Sequence, residues 1–292
     1  MSKIIVGIDL GGTKILAGAA DSRGKFLRKA TYPTQAEAGL ETVVNNIKKA
    51  ILKMSQKEEI AAIGIGAPGP ILCKEGIIVE PPNLPGWKRV PLKKILADEF
   101  KTEVYLDNDA NAAALGELKF GAGRGCKNFV YLTISTGIGG GIIIDGKLYR
   151  GSLGTAGEVG HMVIDPDGPR CGCGNFGCLE ALASGTAMAK RAGRKDALEV
   201  EKAAQAGDDL AVRAIEEAGK HIGVGIANLV NLLNPELVII GGGVANMGEM
   251  LFKPIREEVK ARALKIASES LKIVKAELGT EAGLLGAIAL CL

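Results

Sequence analysis

The chain has 292 residues, with 47% hydrophobic and 24% charged, and this composition excludes a disordered, collagen-like or disulfide-dense protein. Thirty-six Lys and Arg stand against 33 Asp and Glu, a net charge of +3, so no general electrostatic case for nucleic acid exists. Forty-one glycines, about twice the usual share of roughly 7%, follow no period and therefore read as turns and places of close backbone approach.

The N-terminus runs straight into an apolar strand and Asp9, without the apolar core and cleavage site of a signal peptide. No apolar stretch reaches the 18 or so residues of a spanning helix. The expectation is a cytoplasmic protein with no membrane contact and mostly reduced cysteines.

Residues 3–9 read as a buried strand, 15–20 as its hairpin partner after a glycine turn, and 25–32 as a third strand. Apolar residues at 40, 43, 44, 47, 51 and 54 predict an amphipathic helix over 40–56. A buried strand over 60–65 follows, then a helix over 94–100, a strand over 104–107 and an Ala-rich helix over 110–119. The layout then begins again. IDLGGTKILAGAADSRGKF and ISTGIGGGIIIDGKL share the order strand, Gly/Thr turn, strand, Gly-Lys turn, which suggests two related α/β lobes. Helices dominate thereafter, at 181–192, 197–206, 208–233 and 247–267, with a short strand over 238–240 and a last small-residue helix over 283–290.

Three glycine turns follow strands: Gly11-Gly12-Thr13-Lys14 after Asp9, the run Ser135–Gly141, and Gly241-Gly242-Gly243. Such turns let backbone N–H groups approach an anion. Any one of them suits an ordinary hairpin, but three in a duplicated layout favour a nucleotide cleft between lobes. No P-loop is present. Gly64-Ile65-Gly66-Ala67-Pro68-Gly69 matches a dinucleotide fingerprint, but Pro68 and Pro70 deny it the helix that motif must open.

Asp107-Asn108-Asp109-Ala110-Asn111 sits where a strand meets a helix. A helix N-cap accounts for one of these polar residues. The dense set also suits a carboxylate base beside an amide that holds a hydroxylated substrate. His161, Cys171, Cys173 and Cys178, spaced H-x9-C-x-C-x4-C, form a closed set of four tetrahedral zinc ligands, so the expected metal is structural. Glu158 and Glu180 flank this knuckle as a polar wall suited to a polyol. His221 reads as a packed or surface histidine, and Cys73, Cys126 and Cys291 as ordinary thiols.

Taken together, IDLGGTK, GAPGP, EPPNLPGW, DNDAN, STGIGGG, GEVGH and CGCGNFGCLE resemble the ROK family (repressors, open reading frames and sugar kinases) across nearly the whole chain. The resemblance implies a two-lobed actin/hexokinase-like (ribonuclease H-like) α/β fold, with ATP and sugar in the cleft between lobes. A small lobe over 1–111 plus 279–292 and a large lobe over 112–278 carrying the zinc knuckle are expected. The chain starts at the first phosphate strand, without the DNA-binding segment that precedes it in ROK repressors. The expected branch is therefore kinase, with NLPGWKRVPL similar to its glucokinases.

By resemblance, Asp109 is the base that activates the 6-hydroxyl of a hexose, glucose first. Gly69, Asn83, Asn108, Glu158, His161 and Glu180 bind the sugar. Gly11, Gly12, Thr13 and Lys14 meet the terminal phosphates, Thr136, Gly137 and Gly139 the second phosphate face, and Gly241 and Gly242 the adenosine. Asp9 orients Mg2+, and Zn2+ is structural. A homodimer or homotetramer is expected, with no nucleic acid partner. The same fold phosphorylating N-acetylmannosamine, fructose, mannose or allose, or serving as a sugar sensor without catalysis, are the alternatives.

Overall fold

A computed structural model describes residues 3–292, and the chain forms two compact units. The first comprises residues 3–124, 148–156 and 280–292; the second comprises 125–147 and 157–279. The sequence expectation drew its boundary at residue 111. The helix Asp109–Phe120 packs instead with the helix Ala282–Ala289, so residues 112–124 lie in the first unit.

In the first unit, β1 (Ile4–Leu10), β2 (Lys14–Ala20) and β3 (Phe26–Pro33) form an antiparallel meander. Helix α1 (Leu40–Ser55) leads to β4 (Ile60–Ala67), parallel to β1. A small hairpin, β5 (Ile71–Leu72) with β6 (Ile77–Ile78), precedes α2 (Leu92–Phe100), β7 (Glu103–Asn108) and α3 (Asp109–Phe120). The sheet order is β3-β2-β1-β4-β7.

The second unit repeats that plan. β8 (Phe129–Ile134), β9 (Ile138–Ile144) and β10 (Lys147–Leu148) are the meander, and residues 157–233 carry α4 (Leu179–Ala183), α5 (Gly185–Arg191), α6 (Ala197–Gln205) and α7 (Asp209–Leu233). Then come β11 (Leu237–Gly241), α8 (Glu249–Arg262), α9 (Lys265–Ser270) and β12 (Lys272–Lys275). The order β10-β9-β8-β11-β12 matches the first sheet strand for strand. The last helix, α10 (Ala282–Ala289), returns to the first unit.

Both faces of β1 are buried, and the two-residue period of a strand sorts its side chains. Val6, Ile8 and Leu10 enter one cluster with Ile47 and Ile51 of α1. Ile5 turns to the other face and meets Ile288 of α10. Gly7 and Asp9 share that face, so Asp9 is delivered toward α10. Glycine makes the contact close: a Cβ at Gly64 would strike the Ala287 carbonyl, and one at Gly286 the Ala112 carbonyl.

The long helix expected over 208–233 is observed as α7, N-capped by Asp208, whose side chain accepts the Ala211 N–H at 2.8 Å. Two expected helices are divided. Residues 181–192 break at Ser184, which ends α4 and caps α5 by accepting the Ala187 N–H at 3.2 Å. Residues 247–267 break between α8 and α9. The strand β12 and the β5–β6 hairpin carry too short a pattern to be read from sequence. No helix among the described residues is long and apolar enough to cross a membrane.

Candidate active site

In the first unit the polar residues gather beyond the carboxyl ends of the parallel strands β1, β4 and β7, the usual ligand edge of such sheets. Asp9 pairs across the sheet with Gly66, and a Cβ at Gly66 would lie 3.6 Å from the Asp109 Cα. Gly283, in the first turn of α10, has no side chain where the Asp9 carboxylate rests; a Cβ there would meet Asp9 Oδ2 at 2.6 Å.

The first glycine turn is closed by Gly11 N–H donating to the Lys14 carbonyl at 2.9 Å. The Thr34 hydroxyl donates to the Gly11 carbonyl at 2.6 Å. Among the described residues, no acceptor meets the N–H groups of Gly12 and Thr13. Asn83 backs this turn, since a Cβ at Gly12 would lie 2.9 Å from its carbonyl oxygen. Thr13 and Lys14 are exposed.

Burial pushes the Asp9 carboxyl up to about 6, against the opposing pull of Lys14. An acid whose folded pKa lies above its unfolded value of about 3.9 costs stability when ionised. That cost is full above about pH 6 and fades as pH falls toward 4. Asp9→Asn should therefore raise the urea midpoint at pH 7.5 in metal-free buffer, with the gain shrinking toward zero near pH 4. Equal midpoints at pH 7.5 would defeat this account of Asp9.

At the β7–α3 junction the three polar neighbours have separated roles. Asp107 is buried, and its Oδ1 accepts the Asn108 N–H at 2.8 Å and the Asn111 amide at 2.9 Å. Its Oδ2 accepts Arg150 Nε at 2.6 Å, which ties residues 148–156 to the first unit. The Cys73 thiol also donates to Asp107 at 3.5 Å, and burial followed by that negative charge pushes this thiol up to about 12.

Asn108 is the N-cap of α3: its Oδ1 accepts the Ala110 N–H at 2.9 Å and the Asn111 N–H at 3.3 Å. Its Nδ2 lies beside Gly69, where a Cβ would approach to 3.2 Å. Asp109 is exposed in the first turn of α3 and accepts the Ala110 N–H at 2.8 Å. Sequence reasoning missed the anchor formed by Asp107, Arg150 and Cys73, because nothing local links those three positions.

In the second unit, Ser135–Gly137 closes β8 and β9. Ser135 N–H donates to the Gly137 carbonyl at 2.9 Å, and Ile138 N–H donates to Glu180 Oε2 at 2.8 Å. Among the described residues, no acceptor meets the N–H groups of Thr136 and Gly137. Thr136 borders a cavity of about 580 Å3 whose wall includes Ser135, Thr186, Lys190, Gly243, Val244 and Asn246.

Gly241 and Gly242 are not among the residues lining that cavity. A Cβ at Gly241 would meet the Tyr131 hydroxyl, and one at Gly242, with φ +82°, the Ile134 carbonyl. The third glycine turn thus brings β8 and β11 together, and its continuation Gly243–Met247 borders the cavity. Gly139 lies within β9 opposite Thr133. Thr186, Lys190 and Asn246 carried no sequence signal.

His161, Cys171, Cys173 and Cys178 converge, with their ligand atoms all within 4.8 Å of one another. Cys171 Sγ lies 3.7 Å from His161 Nδ1, and the sulfurs of Cys173 and Cys178 are 3.6 Å apart. A tetrahedral zinc with bonds of about 2.3 Å to sulfur and about 2.0 Å to nitrogen has edges of roughly 3.5–3.8 Å. The residues therefore fit that metal, with His161 contributing Nδ1. The knuckle turns on Gly174 and Gly177, at φ +98° and +66°, and Gly177 would carry a Cβ into the Asp165 carbonyl.

Glu158 is exposed at the start of a 3-10 turn, Val159–His161, that carries His161. Glu180 lies in the first turn of α4, immediately after Cys178, with Oε1 4.0 Å from Cys171 Sγ. His221 is half-buried within α7, and burial followed by the Arg191 charge holds its pKa below the usual histidine value.

The profile of the ROK family matches residues 5–292. The chain is 41% identical to the glucokinase of Thermotoga maritima, over 97% of this chain and 95% of that one. It superposes on the ROK hexokinase of Thermus thermophilus with a TM-score of 0.87 at 41% identity, covering 98% and 97% of the two chains. A ROK glucokinase from Streptomyces griseus, solved with glucose and AMPPNP, gives 0.84 at 36% identity, covering 98% of each chain.

Proposed function

We infer the activity from the premise that this chain belongs to the ROK family: it transfers the γ-phosphoryl group of ATP to glucose. The observation that carries the assignment to residues is the division of labour at the β7–α3 junction. Asp107 is buried and fully engaged, Asn108 caps the helix, and Asp109 presents an exposed carboxylate. Asp109 accepts the proton of the 6-hydroxyl as that oxygen attacks the γ-phosphorus.

The other residues bind and orient. N–H groups of Gly12 and Thr13 in one turn, and of Thr136 and Gly137 in the other, take the phosphate oxygens, with Lys14 adding charge. Gly11 shapes the first of these turns, and Gly139 lies in β9 just after the second. The purine nucleoside occupies the cavity beside Thr186 and Val244. Glu158, His161 through Nε2, Glu180 through Oε1, and Asn108 through Nδ2 hold sugar hydroxyls, with Gly69 and Asn83 alongside.

A magnesium ion would be held by Asp9, whose carboxylate stands near the end of β1, before the phosphate turn, with Lys14 acting on its charge. When bound, magnesium would supply charge neutralisation at the phosphates. Zinc would be held by His161, Cys171, Cys173 and Cys178, a set of four protein ligands, and would serve to fix the knuckle. Positioning and electrostatics supply most of the rate, because phosphoryl transfer asks for little covalent chemistry.

A coupled ADP-release assay over a panel of hexoses tests the reading. Glucose should give the highest kcat/KM, ahead of mannose, fructose, allose and N-acetylmannosamine. Tight sugar binding with no turnover of any hexose would instead mark a sensor.

A further inference from the structure

The turn between β8 and β9 is held from outside at three points. The Ser135 carbonyl accepts the Gly185 N–H at 2.7 Å, the Thr136 carbonyl accepts the Thr186 hydroxyl at 2.8 Å, and Ile138 N–H donates to Glu180 Oε2 at 2.8 Å. The partners all lie in 180–186, the stretch of α4 and α5 that directly follows Cys178. The third bond differs in kind, because a buried backbone donor is given to a carboxylate. Ile138 is 4% exposed, so water has little access to replace that acceptor.

Gly137 reserves the space. A Cβ at this position would crowd Glu180 Oε2, so any side chain there would make the carboxylate shift from its present place. The two N–H groups without a protein acceptor, Thr136 and Gly137, directly precede Ile138. Their direction is set by the same short stretch of backbone.

We propose that Glu180 is a positioning residue for the nucleotide: through Ile138 it fixes the turn whose N–H groups bind phosphate. This rests on the reading of that turn given above, and adds a task to the sugar contact assigned to Oε1. A buried N–H that loses a charged acceptor makes the turn reorganise to find another. A hydrogen bond of that class corresponds to about ten- to a hundredfold in an equilibrium constant.

The test is calorimetric titration of the zinc-loaded protein with a non-hydrolysable ATP analogue and magnesium, without sugar, alongside a separate glucose titration. Glu180→Ala should weaken nucleotide binding about ten- to a hundredfold. Glu180→Gln keeps an oxygen acceptor of the same reach and should stay within about threefold of the parent. Glu180→Asp keeps the charge but is one methylene short, and should resemble the alanine variant. Nucleotide binding by Glu180→Ala within threefold of the parent overturns the proposal. If the alanine variant does not fold, Glu180→Asp decides by the same criterion. Lost nucleotide affinity in the Ala and Asp variants, with glucose affinity unchanged in all three, supports the positioning role while removing Glu180 from the sugar contacts.

Discussion

Asp109→Asn should fold normally, bind glucose with nearly parental affinity, and lose roughly 10²–10⁴-fold in kcat, the range for removing a general base. The asparagine has the same shape, and its carbonyl oxygen can still accept the Ala110 N–H that Asp109 accepts at 2.8 Å. What it cannot do is take the proton from the attacking hydroxyl. Asp107 offers no substitute two residues away. Its oxygens are occupied by the Asn108 N–H, the Asn111 amide, the Cys73 thiol and Arg150. Turnover of glucose within tenfold of the parent would remove Asp109 from the role of base.

The second large effect is expected at the metal. The purified protein should carry about one zinc per chain, the stoichiometry of a single closed Cys3His set. The knuckle has few apolar residues of its own; Gly172, Cys173, Gly174, Asn175 and Phe176 are all exposed. Its shape should therefore depend on the ion. Cys173→Ala should lose the metal, make backbone amides in 158–180 exchange rapidly with solvent, and raise KM for glucose by at least tenfold, an effect of about 1.4 kcal/mol or more. The route is indirect, through the placement of Glu158, His161 and Glu180. Elemental analysis finding no zinc in active, reduced protein would refute the claim, as would normal glucose affinity in the variant.

Local patterns in the sequence carried much of this architecture. The repeated strand–turn–strand layout is visible because two glycine turns sit at equivalent points of two meanders, and the two sheets share one strand order. The convergence of His161, Cys171, Cys173 and Cys178 is legible because these residues lie close in sequence and thiols have few other reasons to crowd. What was hidden depends on distance along the chain. Nothing near Asp107 announces Arg150. The wall formed by Thr186 and Asn246 joins segments that are unremarkable in isolation. The break at Ser184 was missed because apolar periodicity continues across it, while a single capping hydroxyl decides the helix boundary.

Gly137 shows how one residue can satisfy two readings. Sequence reasoning assigned its lack of a side chain to phosphate approach. The structure adds the Glu180 carboxylate as the group that a Cβ would meet. A β-branched residue at 137 therefore disturbs the α4 side as well as the anion side of the turn.

The close packing of α10 against α3 and β4 bears on how the chain is made. During synthesis the first unit emerges early, up to α3, but the residues that cover its second face come only after the whole second unit has been translated. Until residues 282–289 leave the ribosome, Ile5, Gly7 and the alanine-rich side of α3 lack their partner. A nascent chain in that state exposes apolar surface and an unfinished sheet face, the condition in which chaperone capture competes with aggregation. Asp109, at the head of α3, is thus translated early, while the helix that seats α3 arrives among the last segments made.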